Sequence, residues 1–207
     1  MARLLLVRHG ESTWNALGRW QGWADAPLSD LGREQARTAA PAAAPVDAVV
    51  SSDLQRARET AELMAGVLEL GPYRLHVEPG LRERDVGDFT GLTRAEIEER
   101  WPGVLSNVAA SIARDPRFGE TVEALATRVD AALHRLAATF AGQRVLVITH
   151  GGVVRNLERS LGIEPDPLPN LGGRELWVDP DTGAVDIGER LLLLSPEDVP
   201  VTVPKQL

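Results

Sequence analysis

Two kinds of apolar spacing alternate along the chain. Short runs at 4–7, 46–50, 74–77 and 145–149 are rich in aliphatic and β-branched residues and read as strands. Between them, apolar residues recur at helical spacing. Leu54, Ala57, Ala61 and Met64 fall on one face of a helix running from Asp53 to about Ala65, whose polar first turn holds Arg56. Val122, Leu125, Val129, Leu133, Leu136 and Phe140 form the stripe of a longer helix over 120–140, which Gly142 stops. Ser29 follows a turn at Pro27 and caps a helix expected to fray near Pro41, where proline removes a hydrogen bond, leaving the alanine-rich stretch to end in a loop. Residues 175–178 and 184–194 pattern as a hairpin across the turn Asp179-Pro180-Asp181-Thr182-Gly183. Residues 196–207 carry three prolines and predict an irregular tail. Strand–helix alternation of this kind predicts an α/β protein, a three-layer α/β/α sandwich with a mostly parallel central sheet. At 207 residues a single domain over 1–207 is expected.

Composition narrows the chemistry. The absence of cysteine removes thiolate catalysis, disulfides and sulfur-bound zinc, and fits a cytoplasmic protein. The run at 4–7 is too short for a signal-peptide core or a membrane span. Thirty acidic against 22 basic residues, a net charge of -8, disfavour nucleic acid and anionic membrane as partners. An anionic small substrate would therefore need a local concentration of cations.

Ligands of an open parallel sheet bind beyond the carboxyl ends of its strands. The first predicted strand ends in Arg8-His9-Gly10-Glu11-Ser12, the second in Ser51-Ser52-Asp53-Leu54-Gln55-Arg56, and the late one in Thr149-His150-Gly151-Gly152. Arg8, His9, Arg56 and His150 thus gather at one edge. The glycines after both histidines are expected to let backbone N–H groups approach an anion at the start of a helix. Two arginines, two imidazoles and open helix ends describe a phosphate site. Any one of these residues alone reads as an ordinary surface or capping group; their convergence is what carries the inference. His134, on the flank of the long helix, and His76, in a short strand, read as uninvolved. Trp14, Trp20 and Trp23 read first as packing residues, with the shaping of a pocket mouth as the alternative.

These segments resemble the histidine phosphatase superfamily, the phosphoglycerate-mutase-like proteins. Four motifs carry the resemblance in order: 5–12 with the stretch 15–22 and Pro27-Leu28-Ser29; 51–57 with Thr60-Ala61-Glu62; Leu81-Arg82-Glu83-Arg84 with Gly87 and Gly91-Leu92; and 147–153. The match spans roughly 4–157. It implies His9 as phosphoryl acceptor, Arg8, Arg56 and His150 as phosphate ligands, Asn15 and Gly151 as further phosphate contacts, and Glu83 as proton donor. Chemistry alone leaves Glu78, Glu83, Asp85 and Asp88 in competition for the acid. The pattern departs at Arg117-Phe118-Gly119-Glu120-Thr121, where phosphatase members usually read Gly-Gly-Glu-Ser.

The resemblance implies a phosphomonoesterase acting on a small phosphorylated metabolite through a phosphohistidine, with no metal and no cofactor. Ser12 is a rival nucleophile. Other readings are a two-His-one-carboxylate metal triad of His9, His150 and Glu83, disfavoured by two neighbouring arginines; a mutase, disfavoured by a short insert without paired arginines; and a non-catalytic phosphate-binding module. Residues 93–118 are expected to cover the pocket, with Arg94, Arg114 and Arg117 setting specificity. The oligomeric state stays open, a homodimer included.

Overall fold

A computed structural model describes residues 1–201 except Pro72, Tyr73, Arg114, Pro196 and Asp198. Six strands, β1 (Ala2–Arg8), β2 (Ala48–Ser51), β3 (Leu75–Val77), β4 (Arg144–Thr149), β5 (Gly172–Val178) and β6 (Val185–Leu192), form one sheet in the order β3-β2-β4-β1-β5-β6. β1 to β4 are mutually parallel, and the β5–β6 hairpin joins antiparallel to β1. The helices are α1 (Thr13–Ala16), α2 (Asp30–Ala43), α3 (Gln55–Val67), α4 (Arg94–Arg100), α5 (Val108–Ile112), α6 (Val122–Thr139) and α7 (Gly151–Ser160).

Residues of period two on the central strands divide the core into two layers. Leu4, Leu6, Val50, Val145 and Val147 pack on α6 and α7, while Leu5, Val7, Val49, Leu146 and Ile148 pack on α2 and α3. The α/β/α sandwich with a mostly parallel sheet follows directly. A third, smaller core of Trp20, Val86, Phe89, Ile97, Leu105, Ile112 and Phe118 sits among the connecting segments.

Two local expectations change. α2 does not fray at Pro41 but runs through it to Ala43. The lost hydrogen bond falls in the last turn on a solvent-exposed face, while Ala39, Ala40 and Ala43 are fully buried against the sheet, so packing outweighs the missing donor. β5 begins at Gly172, three residues before the expected strand, because Gly173 pairs with Val7 at a place where a Cβ would meet Leu6 O at 1.9 Å. Of the tail, Pro196, Asp198 and residues 202–207 lie outside the described residues, as does Arg114. Gln35 Nε2 donates to Pro200 O at 2.7 Å.

Candidate active site

The sheet order places the carboxyl ends of β2, β4 and β1 side by side. His9 follows β1, Arg56 lies in the first turn of α3 after β2, and His150 follows β4 as the residue preceding α7. The two imidazoles meet edge to face with centroids 5.2 Å apart. Arg8, His9, Asn15, Arg56, Glu83 and Gly151 all line one cavity of about 550 Å³. His150 stands behind His9, fully buried.

Each reactive group is held by a specific contact. His9 Nδ1 lies 2.6 Å from Gly10 O and acts as donor, since a carbonyl can only accept. Arg56 Nε donates to His9 Nε2 at 3.2 Å, and arginine has no acceptor. Together these contacts fix the neutral tautomer with its lone pair on Nε2. Burial first, then the charges of Arg56 and Arg8, hold the His9 pKa well below the ordinary histidine value. His150 is held low as well, by burial first and then by Arg56. Arg56 is fixed by donating to Ala24 O at 2.8 Å and Gly22 O at 2.9 Å, and Arg8 by donating to Leu168 O at 2.8 Å. Burial lowers Arg8 to about 9, helped by Arg155, and lowers Arg56 to about 10. Both remain cationic at neutral pH, in a setting where a bound dianion would relieve their desolvation.

The four competing acids separate clearly. Glu78 pairs with Arg135 and caps Gly80, Asp85 accepts from Gly87 N, and of the four only Glu83 lines the cavity. Its Oε2 accepts from Gly152 N at 3.0 Å and its Oε1 from Arg84 N at 2.8 Å. A Cβ on Gly152 would stand 2.0 Å from Glu83 Oε1, so that glycine makes room for the acid. Main-chain position is set by Arg128, which donates to the carbonyls of Gly80, Arg82 and Glu83 while ion-paired to Glu120, and by Trp23 Nε1, which donates to Glu83 O at 2.8 Å.

The divergent 117–121 segment keeps its structural tasks. Gly119 adopts φ 70° where a Cβ would meet Gly87 N at 2.6 Å, Glu120 anchors Arg128, and Thr121 caps α6 through Ala124 N. Phe118, in place of a glycine, fills the third core.

Three expectations are corrected. Gly10 does not offer its N–H to an anion: that group donates to Thr60 Oγ1 at 3.1 Å, and the glycine is needed because a Cβ would stand 2.6 Å from Gly32 O. Among the described residues the segment 93–118 turns Val108, Ile112 and Ala113 to the cavity, while Arg117 is paired with Asp115 and stacked on Trp101 and Arg94 is exposed. Trp20 and Trp23 do more than pack: Trp20 lines the cavity, and Trp23 holds the Glu83 carbonyl.

Gln21, Asn170 and Ser52 have site roles that escaped the sequence reading. Ser12 is fully buried, accepts from Asn15 N and donates to Gln21 Oε1 at 2.8 Å, which leaves Gln21 Nε2 as the donor that this cavity-lining amide can offer a ligand. Asn170 Nδ2 donates to His9 O at 2.8 Å. Ser52 Oγ lies 2.9 Å from His150 Nε2 and leaves His150 Nδ1 unpaired. Gln21 lies inside a stretch that carried the resemblance; nothing in local pattern marks Asn170, which arrives from a distant loop.

The sequence profile of the histidine phosphatase superfamily (branch 1) matches residues 4–175. The chain belongs to that superfamily. A glucosyl-3-phosphoglycerate phosphatase of Mycolicibacterium vanbaalenii is 34% identical over 91% of this chain and 92% of its own length. A metal-independent phosphoserine phosphatase of Arabidopsis thaliana is 40% identical over 75% of this chain and 66% of its own length. The solved structure of a mycobacterial glucosyl-3-phosphoglycerate phosphatase complexed with VO3 is 29% identical and superposes with a TM-score of 0.77 over 90% of this chain and 96% of that one. Proteins named phosphoglycerate mutases are also among the relatives. Together these place the chain among phosphoric monoester hydrolases. Among the described residues no helix is long and apolar enough to cross a membrane, and no group of three or more His, Asp or Glu is arranged to hold a metal ion.

Proposed function

We propose that the protein hydrolyses a small phosphorylated metabolite in two half-reactions through a phosphohistidine at His9 Nε2, without a metal. The observation that carries this is the pair of contacts on one ring: Gly10 O accepts a hydrogen bond from Nδ1–H and Arg56 Nε donates to the Nε2 lone pair. Phosphoryl transfer depends mainly on positioning and charge stabilisation. Arg8 and Arg56 provide guanidinium forks, with Asn15, Gln21 and Gly151 as further contacts to the equatorial oxygens, while the fully buried His150 backs the His9 ring at the head of the phosphate site. In the first half-reaction the His9 N–P bond forms as the ester O–P bond breaks, and Glu83 gives its proton to the departing oxygen. In the second, water attacks phosphorus, the N–P bond breaks, and Glu83 takes the proton from that water.

Hydrolysis is favoured over mutase transfer by the cavity wall. Residues 93–118 form the proposed pocket-covering segment of a single domain, and among the described residues what that segment turns inward is apolar, Val108, Ile112 and Ala113, rather than a cation that would retain a phosphorylated acid for return transfer. The substrates named in its relatives, phosphoserine and glucosyl-3-phosphoglycerate, are candidates here. The reading includes a cytoplasmic setting, no nucleic-acid or membrane partner, and either a monomer or a homodimer.

The test is a rapid alkaline quench of enzyme with substrate, followed by digestion at alkaline pH and mass mapping. A phosphohistidine bond survives base and is lost in acid, whereas a phosphoserine behaves oppositely. Label at His9, absent from His9→Ala and retained in Ser12→Ala, is the expected result. Label on Ser12, or wild-type hydrolysis by His9→Ala, would refute the mechanism.

A further inference from the structure

We infer that the preferred substrates are phosphomonoesters with an apolar leaving group, a hydrocarbon such as hexyl joined to the ester oxygen, selected by a wall of Trp20, Val86, Val108, Ile112 and Val122. This inference rests on the phosphomonoesterase reading above.

The charged groups that line the cavity sit in two places. Arg8, Arg56 and Glu83 surround His9, and Arg155 joins them: a Cβ on Gly151 would stand 3.2 Å from Arg155 Nη1 and 3.6 Å from Arg8 Nε. Glu123 and Arg159 are exposed, where the cavity meets solvent. The wall between is apolar. Trp20, Val86 and Ile112 belong to the third core, and Val108 and Val122 pack against it, so one face of that core is left open to the cavity. The polar side chains on this side are engaged by protein. Arg84 Nη1 donates to the carbonyls of Asp85, Phe118 and Glu120, and Asn156 Nδ2 donates to Val122 O at 3.3 Å. Trp20 Nε1 and Arg84 Nη2 are enclosed by protein atoms, so neither is presented to a ligand.

A hydroxyl or carboxylate carried against such a wall gives up its water without gaining a partner, whereas a hydrocarbon takes the wall itself out of water. Each methylene buried there strengthens binding by up to about fourfold. The volume agrees. About 550 Å³ falls within the range of about 300–1,000 Å³ that encloses drug-sized ligands, and a leaving group the size of glycerol would leave much of the wall wet. Val108 and Ile112 lie on α5, outside the four motifs that carry the phosphoryl chemistry, so this wall can set specificity without altering the phosphate site.

The experiment measures kcat/KM for ethyl, butyl and hexyl phosphate, glycerol 3-phosphate and O-phosphoserine in wild type, Val108→Asn and Val108→Leu. The alkyl esters share an alkoxide leaving group, so differences among them report contact rather than bond cleavage. In the wild type kcat/KM should rise about twofold to fourfold per added methylene, placing hexyl phosphate ahead of glycerol 3-phosphate and O-phosphoserine. Val108→Asn should lower the hexyl to ethyl ratio about fivefold or more, and Val108→Leu should keep it within about twofold. Using the ratio cancels any loss of folded enzyme. A wild-type series that is flat or falls with chain length, or O-phosphoserine turned over in preference to hexyl phosphate, would overturn the inference. A ratio unchanged in Val108→Asn would overturn the assignment of selection to this wall. A wild type inactive on every one of these esters and on nitrophenyl phosphate would instead refute the phosphomonoesterase reading, so the two failures are distinguishable.

Discussion

Gly152 and Glu83 fit one another: the glycine N–H donates to Glu83 Oε2 at 3.0 Å, and a methyl group on that glycine would stand 2.0 Å from Oε1. The helix that follows His150 therefore positions the proposed acid, although acid and helix are far apart in sequence. Replacing Gly152 by Ala should lower kcat at least about tenfold by displacing the carboxylate. Glycine to alanine inside a helix is otherwise favourable by up to about 1 kcal/mol, so a loss of activity without a matching loss of stability would identify displacement as the cause. In a double-mutant cycle with Glu83→Gln the two losses should be far from additive. Full additivity would separate the glycine from the acid.

Glu83→Gln itself should discriminate between leaving groups. Alkyl phosphates, which leave as poor alkoxides, should slow far more than nitrophenyl phosphate, whose phenolate needs little protonation. Equal losses on both substrates would reject Glu83 as the proton donor.

Activity should survive exhaustive chelation. Arg56 donates to Nε2 of His9, and its charge together with that of Arg8 opposes a divalent ion at the same place. Activity lost on chelation and restored by magnesium, manganese or zinc would favour the metal triad.

Stability should fall in mild acid because His9 and His150 are buried in neutral form. Their folded pKa values lie well below the ordinary value near 6.5, so below that pH the unfolded chain binds protons that the folded chain refuses. Each histidine then costs up to about 1.4 kcal/mol per pH unit, until the folded value is reached. Urea unfolding at about pH 7.5 and about pH 5.5 should show this slope, and a His9→Gln, His150→Gln double variant should flatten it. An unchanged slope in that variant would show that other groups govern acid unfolding.

Arg128→Met should both destabilise the protein and reduce kcat. The side chain joins Glu120 to the carbonyls of Gly80, Arg82 and Glu83, and losing one partner of a largely buried pair costs about 3–5 kcal/mol, less here to the extent that its atoms reach water. A fall in the urea midpoint without any change in kcat would show that the 80–83 segment keeps its position unaided.

What the sequence determined by itself is local or repeated along the chain. Apolar runs placed the central strands because a strand buried on both faces needs consecutive apolar positions, and the strand-end rule then brings His9, Arg8, Arg56 and His150 to one edge. Tertiary structure decided whatever depends on contacts between distant segments. Pro41 stays helical because Ala39, Ala40 and Ala43 are buried on the sheet, which a propensity argument does not weigh. Glu83, rather than Glu78 or Asp85, reaches the cavity because those two are taken by Arg135 and Gly87, 57 and two residues away, while Arg128 and Trp23 hold the Glu83 backbone from other elements. Gly10 and Gly151 look alike in sequence, each following a histidine. Only packing shows that the first accommodates Gly32 while the second opens a helix beneath two arginines, because a missing Cβ has no meaning until the atoms that would have struck it are in place.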